Sequence, residues 1–177
     1  FSPKTLMERA TAQRLRVTHI LNTHGHPDHT NGNAVAARMA GAPVLGGSGS
    51  GSDSILEDGD IVVVGSYRMR AWAVPGHTPD HLSFFVDELC VGLTGDHLFV
   101  GKVGGTHSEA DAKAEWDSLQ RLLREWPPET TIWPGHDYGS RPSSTMALER
   151  IGNPFLQCAD FSAFLKLKAD WPAFKAR

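Results

Sequence analysis

One seven-residue segment constrains the fold of this chain more than any other. Residues 23–29 read Thr-His-Gly-His-Pro-Asp-His and hold three imidazoles and one carboxylate. His24 and His26 are two positions apart, so in an extended segment their side chains point the same way. Pro27 prevents a helix from running through the motif, and Asp28 and His29 then leave in another direction. The spacing predicts a loop that presents ligands to two neighbouring metal ions.

Three later segments supply further ligands, each just after a strand-like run. They contribute His77 in Pro-Gly-His-Thr, Asp96 in Thr-Gly-Asp-His and His136 in Pro-Gly-His-Asp. Imidazole suits zinc, iron, manganese or nickel, and the carboxylates add hard oxygen donors. A pair of such ions generates hydroxide near neutral pH and holds a carbonyl or phosphoryl group against it. The alternative, a histidine-rich surface loop with unrelated histidines downstream, is disfavoured because a strand precedes the motif and a helix follows it.

These residues resemble the metallo-β-lactamase superfamily, whose hallmark is a His-x-His-x-Asp-His run, over residues 17–154. The resemblance implies an α/β fold, the αβ/βα sandwich, with the metals at one edge of its two sheets. It implies two divalent ions, zinc by preference with iron or manganese as alternatives, and a water or hydroxide between them. The implied ligands are His24, His26 and His77 for the first metal, Asp28, His29 and His136 for the second, and Asp96 as the bridge.

The segment from Gly135 to Tyr138, followed by Asn-Pro-Phe-Leu at 153–156, looks like the glyoxalase II and persulfide dioxygenase branch. The resemblance implies that Tyr138 contacts the glutathione part of a substrate. The chain departs from that branch at Gly105, where those enzymes carry Lys or Arg, and in the short segment after residue 154. Lys102 and Arg141 are candidate replacement cations, with an ordinary solvated surface charge as the alternative for each.

The leading hypothesis is a metal-dependent hydrolase that uses a metal-bridging hydroxide on a thioester or related acyl bond. Asp28 would orient the nucleophile and help to move its proton, Asp96 would bridge the metals, and Tyr138 would position the substrate. One alternative is a persulfide dioxygenase with a single iron at His24, His77 and Asp96. A second alternative is a metal-binding scaffold without turnover.

Composition limits the partners. The formal net charge of −3 gives no polybasic surface, so a nucleic acid is not expected. No run approaches the ~18 apolar residues that a membrane span needs. The two cysteines have no Cys-x-x-Cys spacing and predict reduced thiols in a cytoplasmic protein. The expected partner is a small molecule, such as a glutathione or other thiol conjugate, and a homo-oligomer is left open.

The chain predicts one domain over residues 1–177, ending in a helical extension at 155–177. It begins at Phe1, already at the helix that follows the first strands in the family, which predicts a sandwich lacking those strands. Residues 46–52, Gly-Gly-Ser-Gly-Ser-Gly-Ser, have the composition of a flexible linker, either a natural loop or a splice. His81 and His97 lie outside the ligand pattern, and packing is the favoured interpretation of both. For His97, support of the neighbouring Asp96 is the alternative.

Periodicity and capping signals predict the order of the elements. Helices are predicted at 2–15, 31–40, from Ser108 to the prolines at 127–128, 144–151 and 161–168. Strands are predicted at 17–22, from Val44, and at 61–64, 67–74, 82–86, 89–93 and 131–133.

Overall fold

The structure, a computed structural model, describes residues 2–175 and the side chains of residues 2–171. Phe1 and residues 176–177, which belong to the predicted domain and, at its end, to the predicted helical extension, lie outside the described residues. Within this range the chain forms a mixed α/β fold with two main sheets, three and six strands wide. The α/β class predicted from the sequence is confirmed.

The first part of the chain builds a small parallel sheet. Its helices and strands are α1 (Pro3–Ala12), β1 (Ile20–Asn22), α2 (Pro27–Thr30), α3 (Asn33–Ala40), β2 (Val44–Gly46) and β3 (Ser54–Ile55). The strands lie in the order β1-β2-β3. Parallel neighbours need a crossover connection, which α3 supplies between β1 and β2. Ser2 caps α1 by accepting from the Thr5 amide, with Pro3 in the first turn, as its sequence predicts.

The second part builds the larger sheet, in the order β11-β10-β7-β6-β5-β4. Its strands are β4 (Ile61–Val64), β5 (Tyr67–Ala73), β6 (Leu82–Val86), β7 (Val91–Gly95), β10 (Thr131–Pro134) and β11 (Ser144–Thr145). A short hairpin, β8 (Leu98–Phe99) and β9 (Lys102–Val103), lies between β7 and the next helix. Only β10 and β7 pair in parallel within the large sheet, so the ends of these two strands meet at one edge.

Three later helices cover one face of the large sheet: α4 (Glu109–Glu125), α5 (Met146–Gly152) and α6 (Phe161–Lys175). The main core lies beneath them and includes Trp72 and Phe85 of the sheet, Trp126 after α4 and Phe164 of α6. The opposite face of the sheet carries a smaller cluster around Phe84, which packs against Leu21 of the small sheet. The layers are therefore helices, small sheet, large sheet and helices.

Several element boundaries differ from their predictions. The helix predicted at 31–40 starts at Asn33 as α3. A separate short helix, α2, precedes it from Pro27, where proline is favoured in the first turn, so Asp28 and His29 lie on a helix and not in the predicted loop. The strand predicted from residue 89 starts at Val91, after a 3-10 turn and a left-handed Cys90 with φ of 51°. Ser144 and Thr145, predicted as helix, pair with β10 instead. The last helix runs beyond its predicted end at residue 168.

The Gly/Ser stretch at 46–52 is closely packed, although its composition predicts a flexible linker. Ser50 is 3% exposed, and its hydroxyl donates to the Gly47 carbonyl at 2.6 Å. A Cβ on Gly25 would overlap the Gly49 backbone, and a Cβ on Gly47 would overlap the Asp80 backbone. These glycines allow the stretch to lie against the histidine loop, since any side chain would force the two apart.

Two further properties bear on the predicted surroundings of the protein. In the described part of the chain, no helix is long and apolar enough to cross a membrane. Cys90 and Cys158 are both free thiols.

Candidate metal centre

The seven predicted ligands come from segments that follow strands of both sheets. The loop after β1 carries His24 and His26, and the short helix α2 that follows carries Asp28 and His29. The segments after β5, β7 and β10 carry His77, Asp96 and His136. Pro134 pairs with Gly95 in the parallel β7–β10 ladder, so Asp96 and His136 emerge side by side. The structure brings all seven side chains together. Two groups of three residues could each hold a metal ion, and Asp96 forms a third such group with one histidine from each of them.

The first group joins three imidazoles. His24 Nε2 and His77 Nε2 lie 3.0 and 3.1 Å from His26 Nδ1. The other ring nitrogen of His77 lies 2.8 Å from the Gly105 carbonyl, which only accepts, so this Nδ1 carries the proton and Nε2 presents its lone pair. His24 Nδ1 lies 3.1 Å from the Thr23 hydroxyl. These outer contacts turn the ring nitrogens of His24 and His77 toward a common point.

The second group contains Asp28, His29 and His136. Asp28 Oδ2 lies 3.1 Å from His136 Nε2 and 3.6 Å from His29 Nε2, and the two imidazole nitrogens are 3.1 Å apart. Asp28 is more exposed than the rest, with 60% of its side chain accessible. This group therefore borders solvent, whereas the first group lies deeper.

Asp96 lies between the two groups. Its Oδ1 is 3.3 Å from His29 Nε2, and its Oδ2 is 3.5 Å from His136 Nε2 and 3.8 Å from His77 Nε2. Burial opposes ionisation of Asp96, but its contact with His29 and the other surrounding imidazoles hold its pKa below the usual value. Oδ1 is buried and has no well-formed hydrogen bond. A buried carboxylate oxygen without a hydrogen bond is costly unless a cation binds it, so this oxygen is a candidate metal ligand.

Two histidines of the first group, His24 and His77, are held neutral. Burial lowers the pKa of His24 to about 4, and burial also lowers the pKa of His77. Neutral imidazole is the form that binds a metal, so no proton has to be displaced from these two rings at neutral pH. His29 behaves differently, because its contact with Asp96 raises its pKa.

The donor set fits two adjacent divalent ions. Imidazole nitrogens that approach each other at 3.0–3.1 Å, with lone pairs directed inward, are best satisfied by a shared cation. Gly135 makes the approach of the groups possible, since a Cβ there would overlap Asp96 Oδ1 and lie 2.8 Å from His29 Cε1. The chemistry available to such a pair of ions is activation of water and polarisation of a carbonyl.

His81 has a role that sequence reasoning missed. It is completely buried, accepts a hydrogen bond from the Asp96 amide at Nε2 (3.1 Å) and stacks on His24 with ring centroids 4.8 Å apart. It therefore supports both Asp96 and His24 of the first group. Its position four residues after His77 is the only signal of this in the sequence. Neither ring nitrogen of His97 has a hydrogen-bond partner among the described residues, which agrees with packing.

The rim of the site is aromatic and basic. The Tyr138 ring stacks on His136 at 4.9 Å and lies 5.3 Å from Phe99, and Tyr138 is 59% exposed. Lys102 Nζ lies 4.5 Å from the centroid of the Tyr138 ring. Arg141, the other candidate replacement cation, donates instead to Ser144 Oγ at 3.2 Å.

Two cavities flank this rim. One, of about 400 Å³, borders Asp28, His29 and His136. The other, of about 230 Å³, borders Lys102, Gly105 and Lys168. A small substrate thus has space beside the second group and beside Lys102.

Comparison with known proteins places these features in context. The model of the metallo-beta-lactamase superfamily matches residues 2–51, which include the histidine loop. The hydroxyacylglutathione hydrolase of Rhodospirillum rubrum is 38% identical over 137 residues, 75% of this chain and 52% of the relative. The mitochondrial persulfide dioxygenase ETHE1 of Homo sapiens is 31% identical over 153 residues, 83% of this chain and 60% of the relative.

The fold is also similar to a solved relative. The crystal structure of ETHE1 from Myxococcus xanthus superposes with a TM-score of 0.86 and 30% identity, covering 95% of this chain and 75% of that one. The chain spans about half the length of the curated hydrolases that it matches.

Proposed function

We propose a hydrolytic function from one premise: this chain belongs to the metallo-β-lactamase superfamily, in the branch of the hydroxyacylglutathione hydrolases and ETHE1 persulfide dioxygenases. The proposed reaction is hydrolysis of a thioester or a related acyl bond. The proposed cofactor is a pair of divalent ions, zinc by preference, with iron or manganese as alternatives. Hydroxyacylglutathione hydrolases outnumber persulfide dioxygenases among the curated relatives to which this chain is similar, which favours hydrolysis.

The observation that carries the proposal is the pairing of two ligand groups through Asp96. The nitrogens of His24, His26 and His77 would hold one ion, and Asp28, His29 and His136 would hold the other. Asp96 directs one oxygen toward His29 and the other toward His77 and His136, which suits a bridge. Bound ions of this kind lower the pKa of water toward neutrality and polarise the carbonyl that is attacked.

The side chains of this protein contribute orientation and proton transfer. Asp28 is the exposed carboxylate of the group, and its Oδ2 faces His136, so it can accept a proton from the attacking water and orient it. Tyr138 covers His136 from the solvent side and would position the substrate there.

The proposed substrate is a small thiol conjugate. Hydroxyacylglutathione thioesters are the class named for several relatives, and Lys102 beside Tyr138 supplies a positive charge for an anionic thiol part. A cytoplasmic location remains a prediction from the two free cysteines, and the oligomeric state remains open.

Metal content and thioester turnover test the proposal together. Protein purified without added metal is analysed for its elements, reconstituted with zinc, manganese or iron, and assayed with a hydroxyacyl-glutathione thioester and a neutral acyl thioester. We expect about two ions per chain and turnover well above that of the free metal at equal concentration. Two bound ions without turnover would favour a metal-binding scaffold and contradict the enzymatic proposal.

A second candidate function, persulfide dioxygenase, is favoured by the likeness to ETHE1 from Myxococcus xanthus over 95% of this chain. The three residues that would hold a single iron, His24, His77 and Asp96, all face the same centre. Two histidines and one carboxylate with open positions suit iron-based oxygen chemistry. Oxygen consumption with glutathione persulfide, by protein that retains about one iron per chain, would support this function over hydrolysis.

A further inference from the structure

The segment at Gly104 and Gly105 connects the metal centre to the far end of the chain. The Gly105 carbonyl accepts from His77 Nδ1 at 2.8 Å and so sets which nitrogen of this ring faces the metal. Glycines have no side chain to hold their carbonyls in place, and a Cβ on Gly105 would meet nothing within 4 Å. The position of this carbonyl must therefore be fixed by contacts that reach its neighbours.

Lys168 makes such a contact from the last helix, α6. Its ammonium group donates to the Gly104 carbonyl at 2.7 Å and to the Glu115 carboxylate of α4. The Lys168 side chain is 11% exposed and that of Glu115 is fully buried. A buried ammonium is tolerated only when it is paired and hydrogen-bonded, so this three-way contact has a defined geometry.

The neighbouring backbone leaves little room for movement. A Cβ on Gly104 would overlap the Asp96 carbonyl and lie 3.1 Å from His77 Cβ, and a Cβ on Gly76 would overlap Glu115. Ser118 of α4 also donates to the Pro75 carbonyl at 2.9 Å. Helix α4, the His77 loop and the 104–105 segment are thus in direct backbone contact, and Lys168 closes this group from α6.

We propose that Lys168 is a positioning residue for the metal ligand His77. By holding the Gly104 carbonyl and pairing with Glu115, it fixes the next peptide, whose carbonyl orients the His77 ring toward the first metal. The last helix is then part of the metal site, although it contributes no ligand. This inference rests on the metal centre of the proposed function but not on the reaction that the centre catalyses.

Metal affinity tests the proposal without an activity assay. Zinc affinity is measured by competition with a chromophoric chelator, and cobalt-substituted protein is examined by visible absorption for the ligand field of the first site. Lys168→Met keeps the aliphatic stem and removes the ammonium, and we expect a loss of zinc affinity of about 10- to 100-fold, as for outer contacts of metal-bound histidines. Lys168→Arg, which restores a donor and a charge, should recover most of this loss.

Two controls separate positioning from general destabilisation. Phe85→Leu, in the same core but on β6, should lower the melting temperature of the metal-free protein but change zinc affinity by less than about threefold. Lys166→Met, on the exposed side of α6, should change neither. If Lys168→Met and Phe85→Leu lost the same melting temperature and the same zinc affinity, the proposal would be overturned.

A further variant keeps the test decisive if Lys168→Met does not fold. Glu115→Gln preserves the shape of the pair and removes its negative charge, and we expect a loss of zinc affinity smaller than that of Lys168→Met but larger than that of Phe85→Leu. Unchanged affinity and an unchanged cobalt spectrum in Glu115→Gln would overturn the role of the pair while leaving the metal centre intact. A wild-type protein that binds neither zinc nor cobalt would overturn the metal centre itself.

Discussion

The ligand cluster and the substrate rim of this site are built in opposite ways. In the cluster, His24 and Asp96 are buried and His77 is half-buried, and glycines allow its segments to approach one another. The rim of Lys102 and Tyr138 is more open, with Tyr138 59% exposed.

This difference separates the residues that determine the chemistry from those that determine the substrate. The position of a buried side chain is fixed by its neighbours, so residue type and spacing in the cluster determine which chemistry it supports. An open rim places few constraints on its residues, and substrate choice follows from side chains that can change without disturbing the fold. The cluster should therefore respond to substitutions with large losses of metal, and the rim with modest changes in substrate preference.

Asp96→Ala should produce the largest effect. It removes the proposed bridge and leaves five imidazoles and Asp28 without their central carboxylate. We expect loss of at least one metal ion and a fall in turnover on the order of 10³-fold or more, because several kcal/mol of transition-state stabilisation depend on the ions. Elemental analysis and a thioester assay measure this. His19→Ala, outside the cluster, is the matched control, and an Asp96→Ala variant with normal metal and turnover would refute the assignment.

Gly135→Ala tests whether close approach is required in the cluster. The added methyl group would overlap Asp96 Oδ1 and press on His29, so the second group should bind metal about 10- to 100-fold more weakly. Gly152→Ala is the control, because a Cβ there meets nothing within 4 Å. Zinc titration of both variants provides the comparison. If Gly135→Ala and Gly152→Ala bound zinc with equal affinity, close approach at Gly135 would not be required for metal binding.

Acid should destabilise the metal-free protein through the buried histidines. Burial lowers the pKa of His24 to about 4 and of His97 to about 3, whereas unfolded histidine titrates near 6.5. Between these values the unfolded chain binds more protons than the folded one, so the free energy of unfolding falls as pH falls below about 6.5. We expect a loss on the order of a few kcal/mol by pH 4.5.

Urea unfolding in the presence of a chelator measures this dependence. The carboxylates with lowered pKa, such as Asp96, add their own loss only at lower pH, near and below the unfolded value of 3.8. His97→Leu removes one buried imidazole and should flatten the curve between pH 6.5 and 4.5. A wild-type curve that is level over this interval would contradict the burial of these rings.

The sequence predicts the cluster better than its surroundings. All seven residues that the structure brings together could be named, because local spacing and the strand before each segment carry the signal. The bond from the Asp96 amide to His81 and the contact of Lys168 with Gly104 could not, since they join segments 15 and 64 residues apart. The Gly/Ser stretch at 46–52 shows a different limit. Glycine permits both a loose chain and a close backbone approach, so composition alone does not distinguish them.

Lys102→Met should have the smallest effect and should depend on the substrate. Lys102 Nζ lies over the Tyr138 ring at the rim, so it can meet an anionic thiol group without touching the reacting bond. A partly exposed charge contact of this kind is worth about 0.5–1 kcal/mol, so KM for a hydroxyacyl-glutathione thioester should rise roughly two- to fivefold. The kcat value should stay nearly constant, and KM for a neutral acyl thioester should not change.

Raising the salt concentration should reduce the difference in KM between wild type and Lys102→Met, because the contact is open to solvent. Lys166→Met provides the control for loss of a surface charge. If Lys102→Met raised KM for both substrates equally, Lys102 would support the shape of the rim through Tyr138, and the rim would be as closely determined as the ligand cluster.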